Sequence, residues 1–294
     1  MSDRHPIIAV TGSSGAGTST ARRVFEAVFE RKNLTPAFVE GDAFHAFDRE
    51  QMRSAIERSR IRGENFSHFG PQANLFDRLE GLFREYGANG NGQHRRYIHT
   101  EDEARVLNLP VGTFTPWVPM PPNTDLLFYE GLHGGVITPE VDVVEHVDLL
   151  IGVTPTVNLE WIQKIRRDID ERGHSPKDVT RTILRRMPDY VKFITPQFSR
   201  TDINFQRVPL VDTSNPFVVR EIPKPEESLV VVHLAENTRV PVDINHLSNE
   251  IPNVSMTRPD TLVVPGTHMG QAMEQIMEPV VRQLLARRMA VLEG

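Results

Sequence analysis

With 294 residues, 39% of them hydrophobic, the chain can bury one large core and is read as a single domain over 1–294. Its formal charge of −6 and pI near 6.0 speak against nucleic acid as the main partner, so an anionic ligand must be held by a local basic cluster. The absence of cysteine excludes disulfides, thiolate metal sites and thiol switches, and fits a cytoplasmic protein.

The opening MSDRHPIIAV lacks the apolar stretch of a signal peptide, and no run approaches the roughly 20 apolar residues of a membrane span, so no membrane partner is expected. Short apolar runs at Ile7–Val10, Ala37–Val39, Asp125–Tyr129 and Leu149–Val153 alternate with helical patterns, which predicts a mostly parallel sheet wrapped by helices. Further strands are predicted at Tyr190–Ile194, Val208–Val211, Leu229–Leu234 and Thr261–Val264; their closer spacing suits antiparallel additions at one edge of a mixed sheet. Gly87–Gly92 and Pro110–Pro122 read as exposed loops. From Gln271 to Leu292, Met273, Ile276, Met277, Val280, Val281, Leu284 and Leu285 share one helical stripe, with Pro279 a candidate kink, and this helix should dock on the core. Phe66, Phe69, Phe76 and Phe83 read as core residues.

The strongest local signal is GSSGAGTST, Gly12 to Thr20, between the predicted strand Ile7–Val10 and a helical segment Ala21–Phe29. Glycines at such a junction let backbone N–H groups and the helix N-terminus point at phosphate oxygens. The spacing matches the P-loop motif except that Thr18 stands where lysine is usual, and Ser19 takes the place of the Mg²⁺-binding hydroxyl. The missing ammonium has to be replaced if the site transfers phosphoryl groups. KIRRDIDERG, residues 164–173, is the best source: on a helix Lys164, Arg167, Asp168, Glu171 and Arg172 share a face opposite Ile162, Ile165 and Ile169. In isolation the same stretch would be a solvated charged face.

Asp42 in VEGDAFH and Glu130 in LLFYEGLHGG follow predicted strands, where ligands of open α/β sheets bind. Asp42 suits a base for a hydroxyl proton, and Glu130 suits Mg²⁺. A lone acid there is usually a cap or turn residue, but convergence with the phosphate turn argues for chemistry. His45 and Arg49 follow Asp42 closely enough to share its side, and a phosphorylated substrate would need such cations.

GSSGAGTST, EGDAFH, FYEGLHG, NLEWIQKIRRD with ERG, and TPQFSRTDINFQRVPLVDTSNPF together resemble the bacterial class of phosphoribulokinases, from His5 to about Gly266. The resemblance implies a P-loop NTPase-like, nucleoside-monophosphate-kinase-like fold: a mixed, mostly parallel sheet flanked by helices, with antiparallel edge strands and a C-terminal helix after about residue 205. It implies transfer of the γ-phosphoryl of MgATP to the 1-hydroxyl of ribulose 5-phosphate. By the same resemblance Asp42 is the catalytic base and Asp168 a second catalytic carboxylate, and Lys164, Arg167 and Arg172 form the substrate and transition-state cluster. His45 and Arg49 contact substrate, and Glu130 with Ser19 serves Mg²⁺. Gly12, Ser13, Ser14, Gly15, Ala16, Gly17, Thr18, Ser19 and Thr20 hold the nucleotide, with Arg185 and Arg186 in a mobile lid; Thr18 in place of lysine is a trait of the bacterial branch.

The resemblance further implies a homo-oligomer with NADH as activator, bound by arginines between subunits. Arg31 and Arg258 match two such positions, while His233 stands at the third. A thioredoxin switch is impossible without cysteine. Two rivals stay open at this point: a uridine-kinase-like small-molecule kinase, and a nucleotide-sensing protein that binds ATP without turnover.

Overall fold

The computed structural model describes residues 2–13, 17–170, 173–219, 221–240 and 242–293. Ser14, Gly15, Ala16 and Arg172, four of the expected site residues, lie outside them. The chain runs β1 (Ile7–Thr11), α1 (Thr18–Arg31), β2 (Pro36–Glu40), α2 (Arg49–Arg62), α3 (Phe76–Asn89), β3 (Gln93–His94), α4 (Glu101–Leu107), β4 (Val118–Pro119), β5 (Leu126–Gly131), β6 (Leu149–Pro155), α5 (Val157–Asp170), α6 (Pro176–Asp189), a π-helical turn Tyr190–Ile194, α7 (Thr195–Phe198), β7 (Ile203–Pro209), β8 (Ser228–Leu234), α8 (Leu247–Glu250), β9 (Ser255–Arg258), β10 (Thr261–Pro265) and α9 (Met269–Glu293).

Among the described residues one sheet has eight strands in the order β2, β5, β1, β6, β7, β8, β10, β9. β2, β5, β1, β6 and β7 pair in parallel, and β8, β10 and β9 are added antiparallel. Both faces are covered, so the alternating side chains of a strand serve two cores. Ile8 and Val10 of β1 join Phe25, Val28 and Phe29 of α1 and the stripe of α9 on one face, whereas Ile7 and Ala9 join Leu79, Leu82 and Phe83 of α3 on the other. Each fully buried side chain of this size contributes about 2 kcal/mol by leaving water. As predicted, α9 docks on the core, and it runs through Pro279 as one helix.

Several expectations need correction. Tyr190–Ile194 is a wide helical turn, not a strand: Tyr190, Ile194 and Gln197 are buried at helical spacing while Val191 faces solvent, and Pro188 cannot donate to the regular ladder ahead of it. β7 begins at Ile203, whose burial with Phe205 against β6 and β8 outweighs the apolar run Val208–Val211; Val211 falls beyond the strand and is exposed. The exposed strand β9 carries no apolar alternation and was not foreseen. Gly87–Asn89 are the last turn of α3, because fully buried Tyr86 holds that turn to the core, and Gly90 ends the helix at φ 75°. Phe76 and Phe83 are core residues, but Phe66 and Phe69 are only half-buried and pack edge-on against Phe47 and Tyr190.

Because β1, β2, β5 and β6 are parallel, Gly12, Asp42, Glu130 and the entry to α5 all emerge at one edge of the sheet. No helix of the described residues is long and apolar enough to cross a membrane.

Candidate active site

The turn after β1 needs glycine at two places. A Cβ on Gly12 would sit 2.5 Å from the Val153 carbonyl oxygen and 2.7 Å from Thr18 Cγ2, and Gly17 adopts φ 107°. Gly17 caps α1 without any side-chain hydrogen bond, and the first turn of α1 has no acid. The N–H groups ahead of Thr20 and the positive end of the helix dipole therefore remain for an anion. Ser19 is exposed on this first turn, and Thr20 N bonds back to Gly17 O at 2.9 Å. The buried Ser13 hydroxyl faces the Glu160 carboxyl and, with Tyr190, helps hold it down.

Glu130, at the end of β5, lies opposite Glu40 of β2 in the parallel register. Burial pushes its carboxyl up, the Thr18 hydroxyl and Arg22 pull it down, and the charges of Glu40 and Asp42 push it up again. Arg22 reaches Glu40 at 3.0 Å and Glu26 at 2.9 Å. A crowd of carboxylates beside a serine hydroxyl and a phosphate-binding turn is a hard oxygen donor set, so Ser19 and Glu130 fit Mg²⁺.

Asp42 lies in the single 3₁₀ turn Gly41–Phe44 that follows β2. His45 Nε2 is 3.2 Å from its Oδ1 and His99 Nε2 is 3.8 Å from its Oδ2. Its side chain keeps 42% of its surface in solvent. Crowding raises the carboxyl, but the His45 hydrogen bond and the charges of His45, His99 and His68 outweigh it and hold Asp42 at about 2. His45 is buried and braced on its other side, Nδ1 to Asn74 Oδ1 at 2.8 Å, while Arg95 donates to its carbonyl. Arg49 opens α2 behind the Asp48 capping box, exposed and packed against Gly112; no described contact joins it to Asp42.

On α5, Lys164 Nζ meets Asp168 Oδ2 at 2.5 Å and Arg167 Nε lies 3.6 Å from Asp168 Oδ1. Asp168 is only 5% exposed, which overturns the solvated-face reading of this helix. Ile162 and Ile165 are buried as expected, and Ile169 is partly so. Burial lowers the Lys164 ammonium, Arg186 lowers it further, and Asp168 opposes them. Four residues N-terminal to Lys164, buried Glu160 accepts the Tyr190 hydroxyl at 2.7 Å.

His68 joins the two halves. Its ring meets His45 edge-on at 5.7 Å, and burial together with the charges of Arg186, His45 and Lys164 keeps it neutral, well below the usual histidine range. The segment that carries it is latched to α6: Arg185 Nη1 donates to Phe66 O at 2.6 Å and Ser67 Oγ to Asp189 Oδ2 at 2.7 Å. Asp42 and His45 on one side and Lys164 and Arg186 on the other thus meet at His68, Arg167 and Asp168 flank Lys164 on α5, and Arg185 latches the Phe66 segment. His68, Asn74, Arg95, His99, Glu160 and Tyr190 were not foreseen. The histidine in FSHFG, between two helices and ending in glycine, was the available signal; Asn74 reads from sequence as a helix cap, a place that Leu75 takes.

Of the expected regulatory residues, His233 and Arg258 flank Thr261 across β8, β10 and β9, and His233 Nε2 lies 3.6 Å from Asp260. Arg31 is elsewhere, paired with Glu274 at 2.7 Å and Glu278 at 3.4 Å on α9.

Residues 7–214 match the Phosphoribulokinase / Uridine kinase family. The chain is 53% identical to the chromosomal phosphoribulokinase of Cupriavidus necator, over 98% of each chain, and 52% identical to the phosphoribulokinase of Nitrobacter vulgaris, over 98% of this chain and 99% of that one. A solved phosphoribulokinase from Rhodobacter spheroides superposes with a TM-score of 0.89 at 45% identity, covering 98% of this chain and 99% of the other. With a P-loop turn, converging acids and a basic helix on one sheet edge, the chain belongs to the phosphoribulokinase/uridine kinase family, on its bacterial phosphoribulokinase branch.

Proposed function

We infer that this chain is a kinase that transfers the γ-phosphoryl of MgATP to the 1-hydroxyl of D-ribulose 5-phosphate, giving ribulose 1,5-bisphosphate and ADP. The observation that carries this reading is the Asp42 carboxylate, partly open to solvent and engaged by His45, at the same sheet edge as the start of α1 and joined through His68 to the cations Lys164 and Arg186. With Oδ1 engaged by His45, Oδ2 is the oxygen free to accept the C1 hydroxyl proton. The alkoxide oxygen then bonds to the γ-phosphorus as the bond to the β–γ bridging oxygen breaks, and ADP leaves. Lys164, Arg167 and Arg186 hold the charge of the transferring group and the sugar phosphate where Thr18 cannot. Asp168 keeps Lys164 aimed, and Arg172 is assigned to the same cluster by family resemblance. Ser19 and Glu130 would hold Mg²⁺, which would supply charge neutralisation for the nucleotide phosphates.

His45, Lys164, Arg167 and Arg186 favour an anionic sugar over a free nucleoside, which argues against the uridine-kinase alternative. Retention of the buried Lys164–Asp168 pair and an ionised Asp42 argues against a sensor without turnover. Coupled ADP release with ribulose 5-phosphate, uridine and no acceptor tests all three; activity on uridine alone, or on none, would sink the assignment.

The protein is further assigned to the cytoplasm and to a homo-oligomer, for which the exposed edge strand β9 offers a surface that a second copy can cover. NADH is proposed as its activator, with Arg31, His233 and Arg258 as contacts.

A further inference from the structure

Asn74 is 7% exposed and stands just ahead of α3 without capping it. Its Nδ2 donates to two backbone carbonyls, His68 O and Gly70 O, each at 2.8 Å. Those two acceptors orient the amide: its NH₂ faces them, and its oxygen faces His45 Nδ1 at 2.8 Å. An amide oxygen only accepts, so His45 Nδ1 carries a hydrogen. The other ring nitrogen faces a second acceptor, Asp42 Oδ1, at 3.2 Å. A neutral imidazole protonated on Nδ1 would aim its Nε2 lone pair at a carboxylate oxygen, so a hydrogen must lie between Nε2 and Oδ1 as well. Asp42 keeps 42% of its side-chain surface in solvent, where a carboxyl is the stronger acid by about 2–3 pK units, and that hydrogen stays on the imidazole.

We propose that Asn74 is a positioning residue that holds His45 as an imidazolium, giving the pocket a lasting positive charge between the base Asp42 and the sugar phosphate. The inference deepens the functional reading above and rests on the Asp42 pocket being the acceptor site.

The groups around His45 agree with this. Asp42 and Asn74 favour the charged ring, whereas burial and Arg95 oppose it, and the balance raises it above the usual histidine range. His68, edge-on to it, has an Nδ1 without a partner among the described residues and faces Arg186 and Lys164; His133 is buried and held at about 3. His99 sees only the far oxygen of Asp42, at 3.8 Å. The ring placed between two acceptors is the one that bears charge, and burial, with like-charge repulsion second, leaves His68 and His133 neutral. The same hydrogen bond occupies Oδ1 and so reserves Oδ2 for the substrate hydroxyl.

Asn74→Ala frees Nδ1, so His45 can become a neutral ring that still donates from Nε2 to Asp42. Histidine ¹⁵N NMR separates the imidazolium from either neutral tautomer without reference to catalysis, with His45→Gln identifying the signal. The expected result near pH 7.5 is an imidazolium in the parent and the neutral Nε2–H form in Asn74→Ala. In parallel, the KM for ribulose 5-phosphate in Asn74→Ala should match the parent within a few-fold near pH 6 and exceed it about tenfold near pH 8.5, with a smaller change in kcat, as for loss of one positive charge near a phosphorylated substrate. A merely structural Asn74 would raise KM equally at both pH values and overturn the proposal. A neutral His45 in the parent would also overturn it, even if Asn74→Ala does not fold. A parent that shows the imidazolium but has no activity on ribulose 5-phosphate would overturn the functional reading instead.

Discussion

Tyr190 donates its hydroxyl to Glu160 Oε2 at 2.7 Å and so ties the π-helical turn that follows α6 to the first turn of α5, one turn before Lys164. Tyr190→Phe leaves a buried carboxylate without this donor and should cost about 1–3 kcal/mol. Burial already raises Glu160, and the tyrosine pulls it back. A carboxyl raised above its unfolded value weakens the fold as pH climbs and it is forced to ionise, so the deficit of the variant should grow from about pH 5 to pH 7. Urea titrations of both proteins at the two pH values measure it; a pH-independent deficit would mean that Glu160 is not the group affected.

Asp42→Asn should bind ATP almost as the parent does and lose about a hundredfold or more in turnover with ribulose 5-phosphate. Because Asp42 is depressed to about 2, it is ionised across the neutral range, and any acid limb of kcat/KM above about pH 4 should be unchanged by manipulations of this carboxyl alone. Steady-state kinetics beside nucleotide-binding calorimetry separates the two effects. Turnover within a few-fold of the parent would make Asp42 structural.

Lys164→Met should lower kcat/KM by about a hundredfold, equivalent to about 3 kcal/mol of transition-state stabilisation. Burial and Arg186 lower the ammonium, so its charge is lost as pH rises through a value below the ordinary lysine range. The parent should therefore show an alkaline fall in kcat/KM that Lys164→Arg, charged throughout, removes. Thr18→Lys should not rescue Lys164→Met, since the new ammonium would enter the space beside Glu130 and pair with that acid. Full activity in Lys164→Met would take α5 out of the site.

If NADH binds at Arg31, His233 and Arg258, His233→Arg should strengthen activation, because a planar, permanently charged guanidinium can hold a phosphate bidentately where an imidazole cannot. Asp260, 3.6 Å from His233, places a negative charge beside that position, so Asp260→Asn should also strengthen activation. The activation constants of the three proteins decide. Constants unchanged in both variants would show that other groups bind the effector.

What could be read from residue order were features set by neighbours in sequence. Glycine spacing after an apolar run located the Gly12–Thr20 turn; acids directly after strands located Asp42 and Glu130; and helical spacing put Lys164, Arg167 and Asp168 on one face. Chain folding decided the rest, because burial and partners depend on contacts that no local pattern encodes. Asp168 reads from the chain as one member of a charged helical face, and only the fold leaves it 5% exposed beside Lys164 and Arg167. Tyr190–Ile194 had the composition of a strand, and its packing beside Glu160 made it a helical turn. Asn74 and His45 are 29 positions apart, and Ser67 and Asp189 are 122 apart; only the tertiary structure sets one against the other. The place of Asp42 directly after β2 was therefore legible in the chain, whereas the two acceptors that face the ring of His45 were set by the fold.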